Sequence, residues 1–267
     1  MIPPGFIGWA LQTGVAVAVL IGLVLLIRRP FAKAFGAQAT YWLWALPALR
    51  TVMPPWTWKP AMLPRADEPL AAPPAAPVAA VDTPGLAAPS PAFDWALVLL
   101  GFYLAVAALY LTWTLWRHHA FRRHALESAT PITLAEVDSA ARALGLRRTP
   151  DLVEAVDSTG PLTFGLLRPV VVLPHGFALT YDSEARRHVL LHEFAHTKRR
   201  DLWAAHAALL FRAVHWPNPL AHIAARSFRA DMEAACDAHV LRVARAHAPA
   251  YAHTLIQSAT PTSGRIL

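Results

Sequence analysis

From Phe6 to Ile27 the chain runs for 22 residues without a charge. As a helix rising 1.5 Å per residue, that run extends about 33 Å against a bilayer hydrocarbon core of about 30 Å. It reads as a spanning helix. A cleaved leader would carry basic residues ahead of a shorter apolar run. Here Arg28 and Arg29 follow it, so the segment is expected to stay in the mature chain. A second uncharged run of 22 residues, Trp95 to Trp116, has tryptophans at both ends, Asp94 before it and Arg117-His118-His119 after it, which suits two membrane interfaces. Between them Ala37 to Met53 is 17 residues with Arg50 near one end. It reads as a short second span whose arginine reaches the headgroups. The composition agrees: 55% of residues are apolar and 15% charged, where a soluble domain carries about 25% charge. One cysteine, Cys236, excludes a disulfide-rich secreted module.

The flanking charges set the orientation. Arg28, Arg29 and Lys33 follow the first span, and Arg117, Arg122 and Arg123 follow the third. The segment from Pro54 to Asp94 sets Lys59 and Arg65 against Asp67, Glu68, Asp82 and Asp94. Positive loops belong in the cytoplasm, so three crossings from an outside N-terminus place all three segments correctly. The resulting division is a transmembrane region, 1–116, with spans at about 6–27, 37–53 and 95–116, and a cytoplasmic domain, 117–267. The Pro/Ala-rich stretch 54–94 lacks the apolar content for a core and is expected to be an extended external loop.

The cytoplasmic region has the pattern of an α+β domain. Thr133 with Glu136 makes a capping box, Leu134, Val137, Ala141 and Leu144 recur at helical spacing, and Gly145 can close the helix. Leu152 to Val156 and Pro169 to Leu173 are short and β-branched, and read as strands of a small sheet. Helices follow over Ser183 to about Arg200, Leu202 to Val214 and Arg226 to about Ala246. The second of these is too short to span and holds His206 and Arg212, so it reads as a core or interface helix.

The chemistry lies in "LLHEFAHTKRRD". His192, Glu193 and His196 fill an HExxH pattern. At 100° per residue, two histidines four apart stack on one helix face and can reach one Zn2+ at about 2.0–2.1 Å. Glu193 is then placed as a base for a water on that metal. Val189, Leu190, Leu191, Phe194 and Ala195 are apolar, as a buried helix requires. A catalytic zinc needs a third protein ligand and an open position. Arg199 and Leu202 stand where a metzincin needs Gly and His, which excludes that arrangement. Downstream, "RADMEAACDAHVL" offers Glu233 as a ligand, with Asp237 one turn on to accept a hydrogen bond from a ligand imidazole. Asp231, His239 and His222 compete for the third position. Cys236 reads as a small core residue.

The order of spans, "GPLTFGLLRPVVVLP" (160–174), "HEFAHTKRRD", "HWPNPL" (215–220) and "EAACDAHVL" (233–241) resembles the BlaR/MecR family. These are membrane-embedded zinc peptidases of the β-lactam sensor/antirepressor type. The resemblance implies a multi-pass protein of the bacterial cytoplasmic membrane, with N-terminal transmembrane helices and a cytoplasmic zincin-like (gluzincin) peptidase domain. It implies zinc held by His192, His196 and Glu233, with Glu193 as catalytic base. It implies cleavage, triggered by a signal from outside, that ends in loss of a DNA-bound repressor. Two departures matter: family members usually add a fourth span and, in the antibiotic sensors, an external penicillin-binding domain. Neither lies within these 267 residues, so antibiotic sensing is not carried over.

The chemistry expected is metal-assisted peptide hydrolysis. An extended substrate would lie along Val170, Val171 and Val172, with Tyr251 and Arg229 as oxyanion stabilisers. Expected partners are a peptide or protein substrate, such as a transcriptional repressor, the lipid bilayer, and a second copy as homodimer. The tight basic cluster Thr197 to Arg200 falls at a helix C-terminus, where cations are favoured, so no direct nucleic-acid binding is expected. Two other readings stand beside the peptidase: a zinc-free membrane scaffold or signal transducer, and a constitutive quality-control protease.

Overall fold

A computed structural model describes residues 6–54, 95–156, 158, 160–243 and 247–259. The uncharged N-terminal run is the first part of helix α1 (Phe6–Trp42), which bends at Gly36. There φ is 84° and ψ 168°, a region essentially confined to glycine. Beyond that bend the chain runs back along the first part of α1, through a turn at Leu43 and Trp44 and then α2 (Ala45–Val52), with Arg50 Nη1 donating to Thr13 Oγ1 at 3.1 Å. The segment expected to form one span over 37–53 begins just after that bend and carries a turn at Leu43 and Trp44. Helix α3 (Trp95–Glu127) carries the second run and continues past Arg117 without a break. Two stretches among the described residues, Gly8–Val52 and Trp95–Glu127, are long and apolar enough to cross a membrane. The Pro/Ala-rich stretch lies outside the described residues from 55 onward.

Four strands follow α3: β1 (Thr130–Pro131), β2 (Asp151–Ala155), β3 (Leu162–Phe164) and β4 (Val170–Pro174), in the sheet order β1-β2-β4-β3. β2 and β4 run parallel, with Leu152 opposite Val171. β3 is antiparallel to β4, with Thr163 opposite Val171. Both edges of β4 are thus paired, and Val171, Val172 and Leu173 are fully buried. The expectation that a substrate lies along Val170, Val171 and Val172 is corrected by this register: the edge strand on that side is β3. Between β1 and β2, α4 (Val137–Leu144) closes on Gly145 at φ 61°. Its expected capping box is not made. Glu136 instead turns its carboxylate onto Arg186, at 2.8 and 3.1 Å.

After the short α5 (Phe177–Thr180) come α6 (Ser183–Arg199), α7 (Asp201–Val214), α8 (Pro219–Val243) and α9 (Ala248–Ala259). Asp182 Oδ1 caps α6 by accepting the Ala185 amide at 2.8 Å. The core is built on α6, whose Val189, Leu190, Leu191, Phe194 and Ala195 pack with Leu152, Leu173, Leu144, Val240 and Tyr251. Burying a side chain the size of Leu190, Leu191 or Phe194 contributes about 1.5–3 kcal/mol, an upper estimate. A second cluster joins Val17, Ile21 and Val24 of α1 and Trp44 to Ala221 and Ala224 at the start of α8. That helix begins earlier than its apolar spacing predicts. Asn218 Oδ1 accepts the Leu220 amide at 2.9 Å and Pro219 takes the first helical position, which together make a helix start. α7 lies between α3 and α8.

Candidate metal centre

His192 and His196 stand one turn apart on α6, with ring centroids 4.7 Å apart and Nε2 atoms 3.2 Å apart. Glu233, from the middle of α8, brings Oε2 to 3.5 Å from His192 Nε2 and 3.3 Å from His196 Nε2. Two donors at about 2.05 Å from a tetrahedral zinc stand about 3.3 Å apart. The three atoms therefore fit a tetrahedral ion with its fourth position free. Glu233 keeps 45% of its side chain exposed, so that position opens to solvent.

Each imidazole is held from behind at Nδ1, which leaves Nε2 facing the site. His192 Nδ1 meets Asp237 Oδ1 at 3.1 Å and Tyr251 Oη at 2.9 Å, and Tyr251 Oη donates to Asp237 Oδ1 at 3.0 Å. His196 Nδ1 meets Asp201 Oδ2 at 2.9 Å. Asp201 reaches it because Arg200 adopts a left-handed conformation, φ 60° and ψ 34°, which ends α6 and starts α7 at once. Burial opposes charge on His192, but Asp237 and Glu233 outweigh it and push the imidazole up to about 10. Burial likewise opposes charge on His196, and Asp201 and its neighbours raise it well above the ordinary value. Burial would raise Glu233, yet the two histidines hold its carboxyl far below the usual range.

Glu193 is buried beside His192 and accepts a hydrogen bond from Thr163 Oγ1 at 2.6 Å. Thr163 lies on β3, so the edge strand touches the candidate base. Cys236 is fully buried and its thiol donates to the His192 carbonyl at 3.6 Å. Its sulfur also lies within 4.8 Å of a nitrogen on each histidine, so it floors the site.

The competing ligands lie elsewhere. Asp231 is bound to Arg28 and Trp44, His222 Nε2 pairs with the Trp216 carbonyl at 3.0 Å, and His239 pairs with Arg242. Tyr251, expected as an oxyanion stabiliser, is 2% exposed, and its hydroxyl is engaged with His192 Nδ1 and Asp237 Oδ1. Arg229 is exposed, one turn before Glu233 on α8. Sequence reasoning missed Asp201, hidden in the "KRRD" that ends the motif, and Thr163, in the stretch between the two expected strands. The alternation Leu162-Thr163-Phe164 was the available signal for a strand.

Fold and site together define a mostly helical protein with a small mixed sheet and an HExxH helix whose donors converge on one point. A family model described as BlaR1 peptidase M56 matches residues 9–266, and the chain belongs to that peptidase family. Regulatory protein BlaR1 of Bacillus licheniformis is 35% identical over 82 residues, which cover 31% of this chain and 14% of that protein. The methicillin resistance mecR1 protein of Staphylococcus aureus is 31% identical over 87 residues, covering 33% of this chain and 15% of that protein. The matches thus span a small part of either relative's length.

Proposed function

We propose that the chain is an integral-membrane zinc metalloendopeptidase that hydrolyses peptide bonds of a cytoplasmic or membrane-proximal protein. The observation that carries this reading is the convergence of His192 Nε2, His196 Nε2 and Glu233 Oε2 at 3.2–3.5 Å, beside the buried carboxylate of Glu193. His192, His196 and Glu233 would hold zinc. Bound there, it supplies Lewis acidity to a peptide carbonyl and lowers the pKa of water. Glu193 takes the proton from the attacking water and hands it to the leaving amide nitrogen. Thr163 orients that carboxylate, Asp237 and Tyr251 hold the His192 ring, and Asp201 holds His196. An extended substrate adds to the outer edge of β3, which carries its backbone past Glu193. A cavity of about 420 Å³ between Gly165–Leu167 and Trp203, with His196 in its wall, receives a side chain of that substrate.

α1 and α3 are read as crossing a bacterial cytoplasmic membrane, with residues 117–267 forming a gluzincin-type region on the cytoplasmic side. The return of α2 to the level of Thr13 supports a multi-pass path, since it carries the chain back toward its outer end before α3. A relative named as a regulatory protein supports a regulatory role, for which signal-dependent cleavage of a transcriptional repressor is the proposed form. The test compares wild type with Glu193→Ala in detergent, measuring zinc per chain and cleavage of a mixed protein substrate. Stoichiometric zinc in both with cleavage only in wild type is the expected result. A wild type without zinc overturns the reading.

A further inference from the structure

Two lines of contact run from the N-terminal hairpin to the site, each ending beside a proposed ligand through a carboxylate. The first passes through Arg199, the last residue of α6, whose side chain is 8% exposed. Its Nε donates at 3.0 Å to Asp201 Oδ2, the same oxygen that holds His196 Nδ1. Its Nη1 donates to the Ala235 carbonyl on α8 at 3.1 Å and to Gln38 Oε1 on α1, and the guanidinium carbon stands 5.3 Å from the Tyr41 ring centroid. The second line ends at Asp231, two residues before Glu233. It accepts from Arg28 Nη1 at 2.9 Å and Trp44 Nε1 at 2.8 Å, while Arg28 also donates to the Ser227 carbonyl at 3.1 Å.

We propose that Arg199 is a positioning residue through which the seating of the bent N-terminal helix sets the orientation of His196, and with it the metal affinity of the site. A buried guanidinium needs acceptors at its fixed fork geometry, and α1, α7 and α8 each supply one. Asp201 in turn is 2% exposed and its Oδ1 has no hydrogen-bond partner among the described residues, so within them the carboxylate is oriented through the oxygen shared by Arg199 and His196. A displacement of α1 is passed to the guanidinium, then to Asp201, then to the imidazole. The bend at Gly36 brings Gln38 and Tyr41 onto Arg199. Apart from its own helix turn, no described residue comes within 4 Å of the space a side chain would take at Gly36, so Gly36→Ala alters the bend through backbone strain and not through a clash.

The inference rests on the ligand reading above, and its test separates the two. The full chain in lipid nanodiscs is titrated with zinc against a competing chelator at fixed pH, and the unfolding of the metal-free chain is followed alongside. Arg199→Gln is expected to weaken zinc binding by about 10–100-fold, the usual effect of losing a group behind a ligand, and Arg199→Lys by less. Gln38→Leu, in a residue that touches no proposed ligand, is expected to weaken it by about threefold. The double variant Gln38→Leu/Arg199→Gln should bind no more weakly than Arg199→Gln alone, because the first effect passes through the second residue. Affinity within twofold of wild type in Arg199→Gln, or a double variant whose loss is the product of the single losses, overturns the coupling. So does a lowered unfolding temperature with unchanged affinity, which is the mark of packing alone. If Arg199→Gln does not fold, unchanged affinity in both Gln38→Leu and Gly36→Ala overturns it. A wild type that holds no stoichiometric zinc overturns the ligand reading, and this inference with it, before any variant is compared.

Discussion

Tyr251 is the residue for which two roles predict opposite results. An oxyanion donor acts on the reacting carbonyl, and losing one costs about 10²–10³ in rate. A residue that orients a ligand acts on metal affinity. Its hydroxyl lies 2.9 Å from His192 Nδ1 and 3.0 Å from Asp237 Oδ1, in a side chain that is 2% exposed. A hydrogen bond to a charged group is worth about 1.5–3 kcal/mol. Asp237 keeps 38% of its side chain exposed, so water replaces part of what is lost and the effect falls at the lower end. Tyr251→Phe should therefore weaken zinc binding by about 1.5 kcal/mol, or about tenfold. With zinc saturating, cleavage should stay within about threefold of wild type, because no donor to the reacting carbonyl has been removed. Chelator competition gives the first number and peptide cleavage at saturating zinc the second. Unchanged affinity with a hundredfold loss of rate would refute the orienting role and restore Tyr251 to the reaction itself.

Thr163→Val removes the donor to Glu193 and should lower cleavage by about tenfold while zinc per chain, measured by atomic absorption, stays stoichiometric. Arg200→Gly relieves a left-handed residue at the α6–α7 junction and should raise thermal stability by about 1 kcal/mol, read from unfolding in detergent; a loss of stability would show that the arginine side chain matters more than its backbone. In metal-free protein His192 is raised from 6.5 to about 10. The stabilisation that its charged form contributes is complete below 6.5 and is lost as pH rises through about 10, so thermal unfolding of the stripped chain should shift downward over that window. Zinc-loaded protein should lack this slope, and a parallel decline in both forms would contradict the assignment. Glu136 is held below its ordinary value by its hydrogen bond to Arg186, so the stability it contributes is present at neutral pH and is lost as pH falls through its lowered pKa. Glu136→Gln should flatten that acid limb of the thermal stability profile.

The histidine pair was legible because it depends on one number, the period of a helix, and α6 supplies it with apolar residues on the remaining faces. Asp237 was legible for the same reason, at one turn from Glu233. Gly145 closes α4 as its sequence suggests, and β2 and β4 fall where short β-branched runs mark them. What escaped depends on contacts between distant segments. The sheet order puts β4 inside, although β3 precedes it in the chain, and no local pattern reports order. Asp201 acts on His196 only because Arg200 bends the chain in a conformation for which glycine is the usual signal. Asp231 looked available as a ligand until the hairpin supplied Arg28 and Trp44. The start of α8 was readable in Asn218-Pro219, yet apolar spacing outweighed it. Its first turns face α1 rather than the main core, and so follow a different partner.

The charge around the site gives a separate reason to expect a doubly charged ion. Glu193, Glu233, Asp237 and Asp201 are four carboxylates, and Arg199 is the one guanidinium among them. With both imidazoles neutral, three formal negative charges remain uncompensated around a partly buried site, which is costly. Protonating both histidines reduces the excess to one, and this is why both are raised despite burial that opposes it. A dication with neutral imidazoles reaches the same total. A monovalent ion would leave one more negative charge uncompensated, and an anion would add to the excess. Binding must also release protons, so uptake of zinc should acidify a weakly buffered solution near neutral pH. The release follows because an Nε2 that carries a proton must give it up to become a donor to the metal.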